Sequence, residues 1–348
     1  MIDIEKNKIY QHQSTRDALA KLNLLNIHLT LFVLDANNKM LGTVTDGDIR
    51  RGLLNGLTID MPVSDFMFRD FRFFGQGNIS TEQFISFKND KLKIVPVLDA
   101  NRNIVEILDL TYFISYLPLD VLLMAGGEGI RLRPLTEQTP KPLLPVGGKP
   151  LLDHNMQRLK KFGIKNFNIS VRYLAEKIEK HIGSGSEKNI RIKYLRETTP
   201  LGTIGCAGLI KEFNNDYLLV MNADLLTDID FEQMYLKLLT EKADMIVATI
   251  PYTVNVPYGV IETDNDNVTG ISEKPSLLFN TNAGIYIIHK KLLSEIPYNT
   301  FFNATDLLTK VIEKKHKLIY YPIHTFWLDI GRIEDYNRAN EMFKFLQF

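Results

Sequence analysis

The chain has 348 residues, of which 45% are hydrophobic and 24% charged, with 41 basic and 41 acidic side chains. That length exceeds what one core ordinarily supports and predicts two domains. The formal net charge of zero argues against a general binder of nucleic acid or membrane surface, which needs a basic excess, but leaves room for a local basic pocket. A single cysteine, Cys206, excludes an intrachain disulfide and a cysteine metal cluster, and is expected to be a small core residue; the 7 histidines show no HExxH spacing. Met1 to Lys6 lacks an apolar leader segment, and no apolar run approaches the ~20 residues of a membrane span, so a cytoplasmic setting is expected.

The N-terminal third contains an internal repeat. Ser14-Thr15 precedes a helical pattern over Ala18 to Leu25. A β-rich run follows (Leu31 to Leu34), then the turn Leu34-Asp35-Ala36-Asn37 and a second run (Met40 to Val44). The same order recurs as Ser80, a helix over Thr81 to Phe87, a run Ile94 to Leu98, the turn Leu98-Asp99-Ala100-Asn101, and a run Ile104 to Leu108. The stretch Gly42-Thr43-Val44-Thr45-Asp46-Gly47-Asp48, with Val63-Ser64-Asp65-Phe66-Met67 opening the second copy, resembles the cystathionine-β-synthase (CBS) motif. The resemblance implies a small α+β CBS pair over 1–118, with copies at about 1–60 and 61–118. It also implies an adenine nucleotide held by Thr45, which can donate to phosphate, and Asp48, which can accept from ribose hydroxyls. Aligning the copies on their turns puts Asp109 opposite Thr45 and Tyr112 opposite Asp48, so at most one site is expected. A purely structural or oligomerising module is the alternative reading, and a homo-oligomer is expected. Leu117-Pro118 closes the segment without a low-complexity linker.

The next stretch organises the rest of the chain. Val121-Leu122-Leu123-Met124 reads as a buried parallel strand. It breaks into Gly126-Gly127-Glu128-Gly129, a loop without Cβ atoms whose amides can face an anion, and Arg131, Arg133 and Lys141 follow as fixed positive charge. Leu132 stands where a dinucleotide-binding turn has its third glycine, and the only Gly-Lys pair, Gly148-Lys149, runs into Pro150 instead of the Ser/Thr of a P-loop. Pro134, Pro140, Pro142 and Pro145 forbid a regular helix, so the loop is predicted to be long and extended.

Leu123-Met124-Ala125-Gly126-Gly127-Glu128-Gly129-Ile130-Arg131-Leu132-Arg133-Pro134-Leu135-Thr136, followed by Pro140-Lys141-Pro142-Leu143, resembles the signature of the sugar-1-phosphate nucleotidyltransferases (NDP-sugar pyrophosphorylases). The resemblance runs from about Leu119 to the C-terminus. It implies an α/β, Rossmann-like domain over 119–348 with a mostly parallel central sheet. The pattern of elements agrees: an apolar helical face at Leu152, Met156, Leu159 and Phe162 ending at Gly163, a strand Phe167 to Val171, a helix Ala175 to Ile182, a strand Ile190 to Leu195, a helix Ala207 to Phe213 and a strand Tyr217 to Met221. The last helix, Glu334 to Phe345, carries Tyr336, Ala339, Met342, Phe343 and Leu346 at helical spacing and is expected to pack on the sheet.

The family pattern distributes roles along this domain. Ala125, Gly126, Gly127 and Gly129, with Pro200, Gly202 and Thr203 of a Pro-Leu-Gly-Thr element, are implied to bind nucleotide. Thr203 also sits where a helix start would favour a polar or anionic ligand. Arg131 and Lys141 are the catalytic cations. Asp224, at the end of Asn222-Ala223-Asp224 on the carboxyl edge of the sheet, and Asp329, in Trp327-Leu328-Asp329-Ile330-Gly331, are the Mg²⁺ ligands. Tyr258, Gly259, Glu273 and Asn282 are assigned to the sugar and Lys274 to its phosphate, around a hairpin-like region. Two features depart from the common pattern: Arg332-Ile333 follows Gly331 where a Thr/Ser-Pro pair is usual, and Asn222-Ala223-Asp224 replaces the frequent Gly-Asp. The implied reaction is transfer of a nucleoside monophosphate from an NTP to a sugar-1-phosphate. By analogy with CBS-fused enzymes, the product is a GDP-sugar such as GDP-glucosamine for surface-glycan or nonulosonic-acid synthesis, with UTP or dTTP left open. A non-catalytic protein that senses a nucleotide and binds a sugar nucleotide is the alternative; the missing third glycine disfavours an NAD-dependent enzyme.

Overall fold

The computed structural model describes residues 2–25 and 27–343. The chain divides into two compact units, Met1–Tyr116 and Leu117–Phe348. In the first, α1 (Ile4–Asn7), β1 (Lys8–Tyr10), α2 (Thr15–Leu24), β2 (Thr30–Leu34), β3 (Met40–Thr45) and α3 (Asp46–Leu54) are followed by β4 (Phe74–Gly75), α4 (Thr81–Asn89), β5 (Ile94–Leu98) and β6 (Ile104–Asp109). The two three-stranded sheets, β1-β2-β3 and β4-β5-β6, have the same topology: a parallel pair, then an antiparallel one. The repeated turn has a shared cause. The Asp35 carboxylate accepts from the amides of Asn37 (2.8 Å) and Lys39 (2.9 Å), and Asp99 accepts from Asn101 (2.9 Å) and Asn103 (2.8 Å), so each aspartate closes its hairpin as an Asx turn. Both hairpins also carry an irregularity at the same point, Val33/Leu34 and Val97/Leu98.

The helix predicted to start after Ser14-Thr15 begins at Thr15, earlier than its apolar pattern. The Ser14 hydroxyl accepts from the Asp17 amide at 3.1 Å, and the Asp17 carboxylate accepts from the Ser14 amide at 3.1 Å. The copies differ after their last strand. Thr45 and Asp48 cap α3 reciprocally, whereas Asp109 spends one carboxylate oxygen on the Thr111 amide (2.9 Å) and hydroxyl (2.6 Å), and no helix follows it among the described residues of this unit.

The second unit adds β7 (Leu119–Met124), β8 (Pro145–Val146), β9 (Lys149–Pro150), α5 (Leu151–Lys161), β10 (Asn166–Val171), α6 (Ala175–Ile182), β11 (Arg191–Arg196), β12 (Tyr217–Asn222), β13 (Leu225–Thr227), α7 (Phe231–Thr240), β14 (Met245–Asn255), β15 (Val260–Asp264), β16 (Asn267–Ser272), β17 (Ser276–His289), α8 (Ala304–Glu313), β18 (Leu318–Pro322), β19 (Trp327–Asp329) and α9 (Ile333–Phe343). Seven strands form the central sheet in the order β11-β10-β7-β12-β17-β14-β18, all parallel except β17. Alternation along β7 sends Val121 and Leu123 to one face and Leu122 to the other. The first face is covered by Met156 of α5, Ile178 of α6 and Met234 and Leu238 of α7; the second by Leu307 and Val311 of α8 with Leu292 and Leu293. Cys206 is 1% exposed on the second face, and burial pushes its thiol up to about 12. No helix among the described residues is long and apolar enough to cross a membrane.

Two predicted helices need correction. Ala207 to Phe213 is not an α-helix: a short 3₁₀ turn spans Gly205–Leu209, and the chain then runs irregularly to β12. Gly205 and Gly208 weaken a helix here and let the backbone press on its neighbours, since a Cβ on Gly205 would lie 2.5 Å from the Thr300 carbonyl and one on Gly208 2.9 Å from that of Pro297. The last helix is Ile333–Phe343 as described; Phe345 and Leu346 lie outside the described residues. Its inner face, Tyr336, Ala339 and Phe343, does not join either core of the central sheet. It packs with Leu132, Leu144, Val146, Leu226 and Ile330, beneath the glycine-rich segment.

Candidate active site

The carboxyl ends of β7, β10 and β12 lie side by side, and the glycine-rich segment leaves from the first of them. No α-helix forms between Gly126 and Pro150, as its prolines dictate; it holds two short 3₁₀ turns, Ile130–Leu132 and Lys141–Leu143, and the small β8–β9 hairpin. The segment is tied down from several sides. The Ala125 amide donates to the Ser170 carbonyl at 3.0 Å. The Thr136 hydroxyl donates to the Gly129 carbonyl (2.9 Å), and the Tyr173 hydroxyl to the carbonyls of Thr136 (3.0 Å) and Glu137 (3.2 Å). From α9, Tyr336 donates to the Pro145 carbonyl at 2.7 Å and the Asn340 side chain accepts from the Gly147 amide at 3.2 Å.

The fastened loop borders a cleft of about 650 Å³ lined by Gly127, Glu128, Gly129, Ile130, Arg131, Lys141, Arg172, Asp224 and Gly331. Gly129 has φ +62, and a Cβ there would stand 3.0 Å from the Thr136 methyl and 3.2 Å from the Lys141 Cβ; this position requires glycine. Lys141 is ion-paired with Asp224, and the pair is only 12% and 24% exposed. Arg172 pairs with Glu128 at 3.2 Å. Arg131 lies against Gly331, whose absent Cβ would come within 3.5 Å of the guanidinium. Arg133, grouped with these cations from the sequence, does not line the cleft.

The two aspartates meet although 104 positions separate Leu225 from its partner Asp329. The short ladder of β13 and β19 sets Asp329 opposite Leu225, and the Ile330 amide donates to the Asp224 carbonyl at 3.2 Å. Burial, and next the charge of Asp224, raise the pKa of Asp329, against the opposing pull of Lys141 and Arg131. Asp224 Oδ1 is buried without a partner. An orphaned carboxylate oxygen beside a second, mutually repelling carboxylate fits a hard divalent cation. Among the described residues no three or more His, Cys, Asp or Glu converge, so a cation held here would need further ligands from water or phosphate oxygens, as Mg²⁺ commonly does.

The other expected site residues fall in different places. Ala125 is buried beneath the loop. Ala283 and Gly284 touch residues two positions before the aspartates: Trp327 donates to the Ala283 carbonyl at 3.1 Å, and a Cβ on Gly284 would strike the Asn222 amide at 2.7 Å. The Asn282 side chain donates to Tyr286 at 2.6 Å and accepts from the Gly284 amide at 2.9 Å. Tyr258, Gly259, Glu273 and Lys274 form a separate exposed group at the root of the β15–β16 hairpin, outside the cleft lining; Glu273 lies against Gly259. The Pro200–Thr203 segment hangs from Glu197, whose carboxylate accepts from the Leu201 amide at 3.2 Å and from the Ser170 hydroxyl. Gly202, with φ +77, presses on the Phe302 carbonyl. Thr203 does not start a helix of its own, because the following turn is short. Its hydroxyl accepts from the Ala304 amide at 2.8 Å and its amide donates to Asn303 at 3.3 Å, which ties it to the start of α8.

Sequence reasoning assigned no role to Glu128, Arg172 or Glu197. The rule that picked out Asp224, a charged residue within two positions of a strand's carboxyl end, also selects Arg172 after β10 and Glu197 after β11. Glu197 reaches back over β10, 3.1 Å from where a Gly126 Cβ would stand.

Residues 120–344 match the family model described as Nucleotidyl transferase. The chain is 30% identical over 242 residues to a UTP–glucose-1-phosphate uridylyltransferase of Synechocystis, covering 64% of this chain and 62% of that one. It is also 30% identical over 228 residues to a mannose-1-phosphate guanylyltransferase of Mycobacterium tuberculosis, covering 64% of each. It thus spans less than two thirds of the length of these curated relatives. The fold is similar to that of HddC from Yersinia pseudotuberculosis, with a TM-score of 0.51 and 28% identity over 65% of this chain and 99% of that one. With the loop, its cations and Asp224 lining one cleft, and a family model matched over well more than half its length, the chain belongs to the nucleotidyl transferase family.

Proposed function

We propose that this chain transfers a nucleoside monophosphate from an NTP to a sugar-1-phosphate, releasing pyrophosphate. The observation that carries this reading is a cleft lined by the glycine-rich loop, three cations and Asp224, with Asp329 brought beside Asp224 by the β13–β19 ladder. A sugar-phosphate oxygen attacks the α-phosphorus, the bond from that phosphorus to the bridging oxygen breaks, and pyrophosphate leaves with the electron pair. The nucleophile is already an anion, so the chain need supply no general base. It must align two anions and offset their repulsion. The loop amides and Arg131 take up charge on the departing pyrophosphate. Lys141 exchanges its hold on Asp224 for the transferring phosphoryl, and Arg172 exchanges Glu128 for the triphosphate. When bound by Asp224 and Asp329, Mg²⁺ supplies charge neutralisation and a template for the phosphate oxygens.

GTP is the favoured donor in this reading. Glu197 can only accept hydrogen bonds when ionised. Guanine offers two adjacent N–H groups on one edge, whereas uracil and thymine flank a single N–H with two carbonyls that a carboxylate repels. The guanylyltransferases among the relatives lend support. The product is then a GDP-sugar made in the cytoplasm. Pyrophosphate release over a grid of four NTPs and several sugar-1-phosphates tests this: the highest kcat/KM is expected with GTP. A preference for UTP, the donor named in the Synechocystis relative, would overturn the base assignment and leave the transfer chemistry standing.

For the N-terminal unit we propose a CBS pair with one adenine-nucleotide site at Thr45 and Asp48. The duplicated topology supports it. The two side chains now satisfy each other, Thr45 donating to Asp48 at 2.6 Å while Asp48 holds Arg51, so a nucleotide must compete with this cap. Thermal-shift titration of the full chain with AMP, ADP and ATP, with Thr45→Ala as control, is the test; no shift with any of them removes the nucleotide and leaves a structural module.

A further inference from the structure

The cleft holds two ion pairs, and only one of the two carboxylates has a use in the proposed chemistry. Asp224 holds Lys141 and stands beside Asp329 as a cation ligand. Glu128 holds Arg172 and lines the same cleft. A fixed negative charge there opposes a polyanion, so Glu128 lowers affinity for the very ligand the cleft is shaped to take.

The geometry of the Arg172–Glu128 pair is that of a contact easily exchanged. Both terminal nitrogens of Arg172 donate to one oxygen of Glu128, each at 3.2 Å. Arg196 and Glu179 show the lasting form in the same chain: Nε and a terminal nitrogen donate to two different oxygens, at 2.8 and 2.6 Å. That fork is what makes an arginine–carboxylate pair strong. The Arg172 pair is longer at both contacts and has no fork. A phosphate, with more charge and oxygens spaced for the fork, is a better partner for this guanidinium. The side chains of Arg172 and Glu128 are 25% and 34% exposed, so parting them strands no bare charge in a dry interior.

The two partners are also mounted differently. Arg172 directly follows β10. Its neighbour Tyr173 is bonded to the Thr136 and Glu137 carbonyls, and Leu174 is held at φ +48, a conformation a leucine adopts only where its surroundings impose it. Glu128 stands between two glycines, and at Gly127 an added Cβ would meet nothing within 4 Å. On exchange, therefore, the carboxylate moves away and the cation stays in place.

We infer that Glu128 is an internal competitor for the β- and γ-phosphates. It occupies Arg172 before the nucleotide binds, yields it to the triphosphate, and takes it back as pyrophosphate departs. On the transferase reading, on which this rests, Glu128 acts through Arg172 as a positioning residue that keeps the leaving product from holding the site. The apparent affinity of a ligand that needs Arg172 is reduced by the fraction of time Arg172 is unpaired; a fivefold penalty corresponds to about one fifth.

Calorimetric titration of the full chain with pyrophosphate, GTP and GMP, each with Mg²⁺, tests this in four proteins: wild type, Glu128→Gln, Arg172→Gln and the double variant. Glu128→Gln is expected to bind pyrophosphate and GTP at least fivefold more tightly than the wild type, and GMP within twofold of it. Arg172→Gln is expected to bind pyrophosphate at least tenfold more weakly, and adding Glu128→Gln to it should recover nothing. A carboxylate acting only by its charge at a distance would tighten all three ligands, and by as much without Arg172. That pattern, a wild type that binds no pyrophosphate, or an unmoved pyrophosphate affinity in Glu128→Gln would each overturn the inference. Should Glu128→Gln fail to fold, Glu128→Asp, whose shorter reach loosens the pair, is expected to tighten pyrophosphate binding, and no change there would overturn it equally. In turnover, Glu128→Gln should be inhibited by pyrophosphate at a concentration at least fivefold lower. A wild type with this binding pattern but no transfer would overturn the transferase reading and leave the competitor standing; normal transfer with pyrophosphate affinity indifferent to Glu128→Gln would do the reverse.

Discussion

Two glycines two residues apart give the sharpest structural prediction, because alanine should do opposite things at each. At Gly129 the backbone lies at φ +62, and an added Cβ meets Thr136 at 3.0 Å and Lys141 at 3.2 Å. The left-handed conformation costs a side chain ~1–2 kcal/mol, and the crowding of a packed neighbourhood adds ~1–3 kcal/mol. Because Thr136 and the Lys141 stem can each give by a few tenths of an ångström, Gly129→Ala is expected to lose ~2–4 kcal/mol, a fall of roughly 4–15 °C in melting midpoint for a domain of this size. At Gly127 an added Cβ meets nothing within 4 Å and φ lies outside that region. Gly127→Ala is expected to leave stability unchanged or raise it by ~0.4–1 kcal/mol through the unfolded chain. Yet Gly127 lines the cleft, and the new methyl group stands where phosphate oxygens approach the backbone, so triphosphate affinity should drop at least tenfold, about 1.4 kcal/mol. Urea unfolding and calorimetric titration with GTP and Mg²⁺ measure the two effects separately. A Gly129→Ala protein as stable as the wild type, or a Gly127→Ala protein that binds GTP normally, would refute the reasoning about the loop.

Removing Lys141 leaves Asp224 unpaired in a half-buried position; Lys141→Ala should still fold, with turnover reduced by about three orders of magnitude, the range seen when a charge-stabilising group is lost, and pyrophosphate release measures it. Asp329→Asn removes a half-buried carboxylate repelled by Asp224. Without divalent cations its melting midpoint should lie above that of the wild type, and only the wild type should gain stability on adding Mg²⁺; equal gains in both would take Asp329 out of the ligand set. Glu197→Gln replaces an acceptor with an amide that can also donate, so the ratio of kcat/KM for GTP over UTP should fall at least tenfold; an unchanged ratio would remove Glu197 from base recognition.

Much of this was legible along the chain because the determining chemistry is local. The prolines between Pro134 and Pro145 forbade a helix, and the paired Asp-Ala-Asn turns located the duplicated hairpins. The apolar spacing of Leu152, Met156 and Leu159 gave a buried helical face, all three leaving 4% or less of their surface exposed. What failed depended on packing between distant segments. The stretch after Gly205 was pressed out of helical form by the backbone at 296–302, and α9 was drawn to the underside of the loop by Phe343 filling the space above Gly147. The meeting of Asp224 and Asp329 rests on a three-residue ladder that neither strand announces by itself. Arg172 and Glu197 were readable in principle, since each follows a strand at the same edge as Asp224, but a lone charge there has no spacing signature.

The central claim is that one cleft joins a nucleoside monophosphate to a sugar phosphate. Phosphorus NMR of a reaction with GTP, a sugar-1-phosphate and Mg²⁺ tests it most directly. The account predicts that a diphosphate ester and pyrophosphate appear together in equal amounts with the wild type, and that neither appears with Asp224→Asn. Release of inorganic phosphate instead, or product formation undiminished in Asp224→Asn, would contradict it.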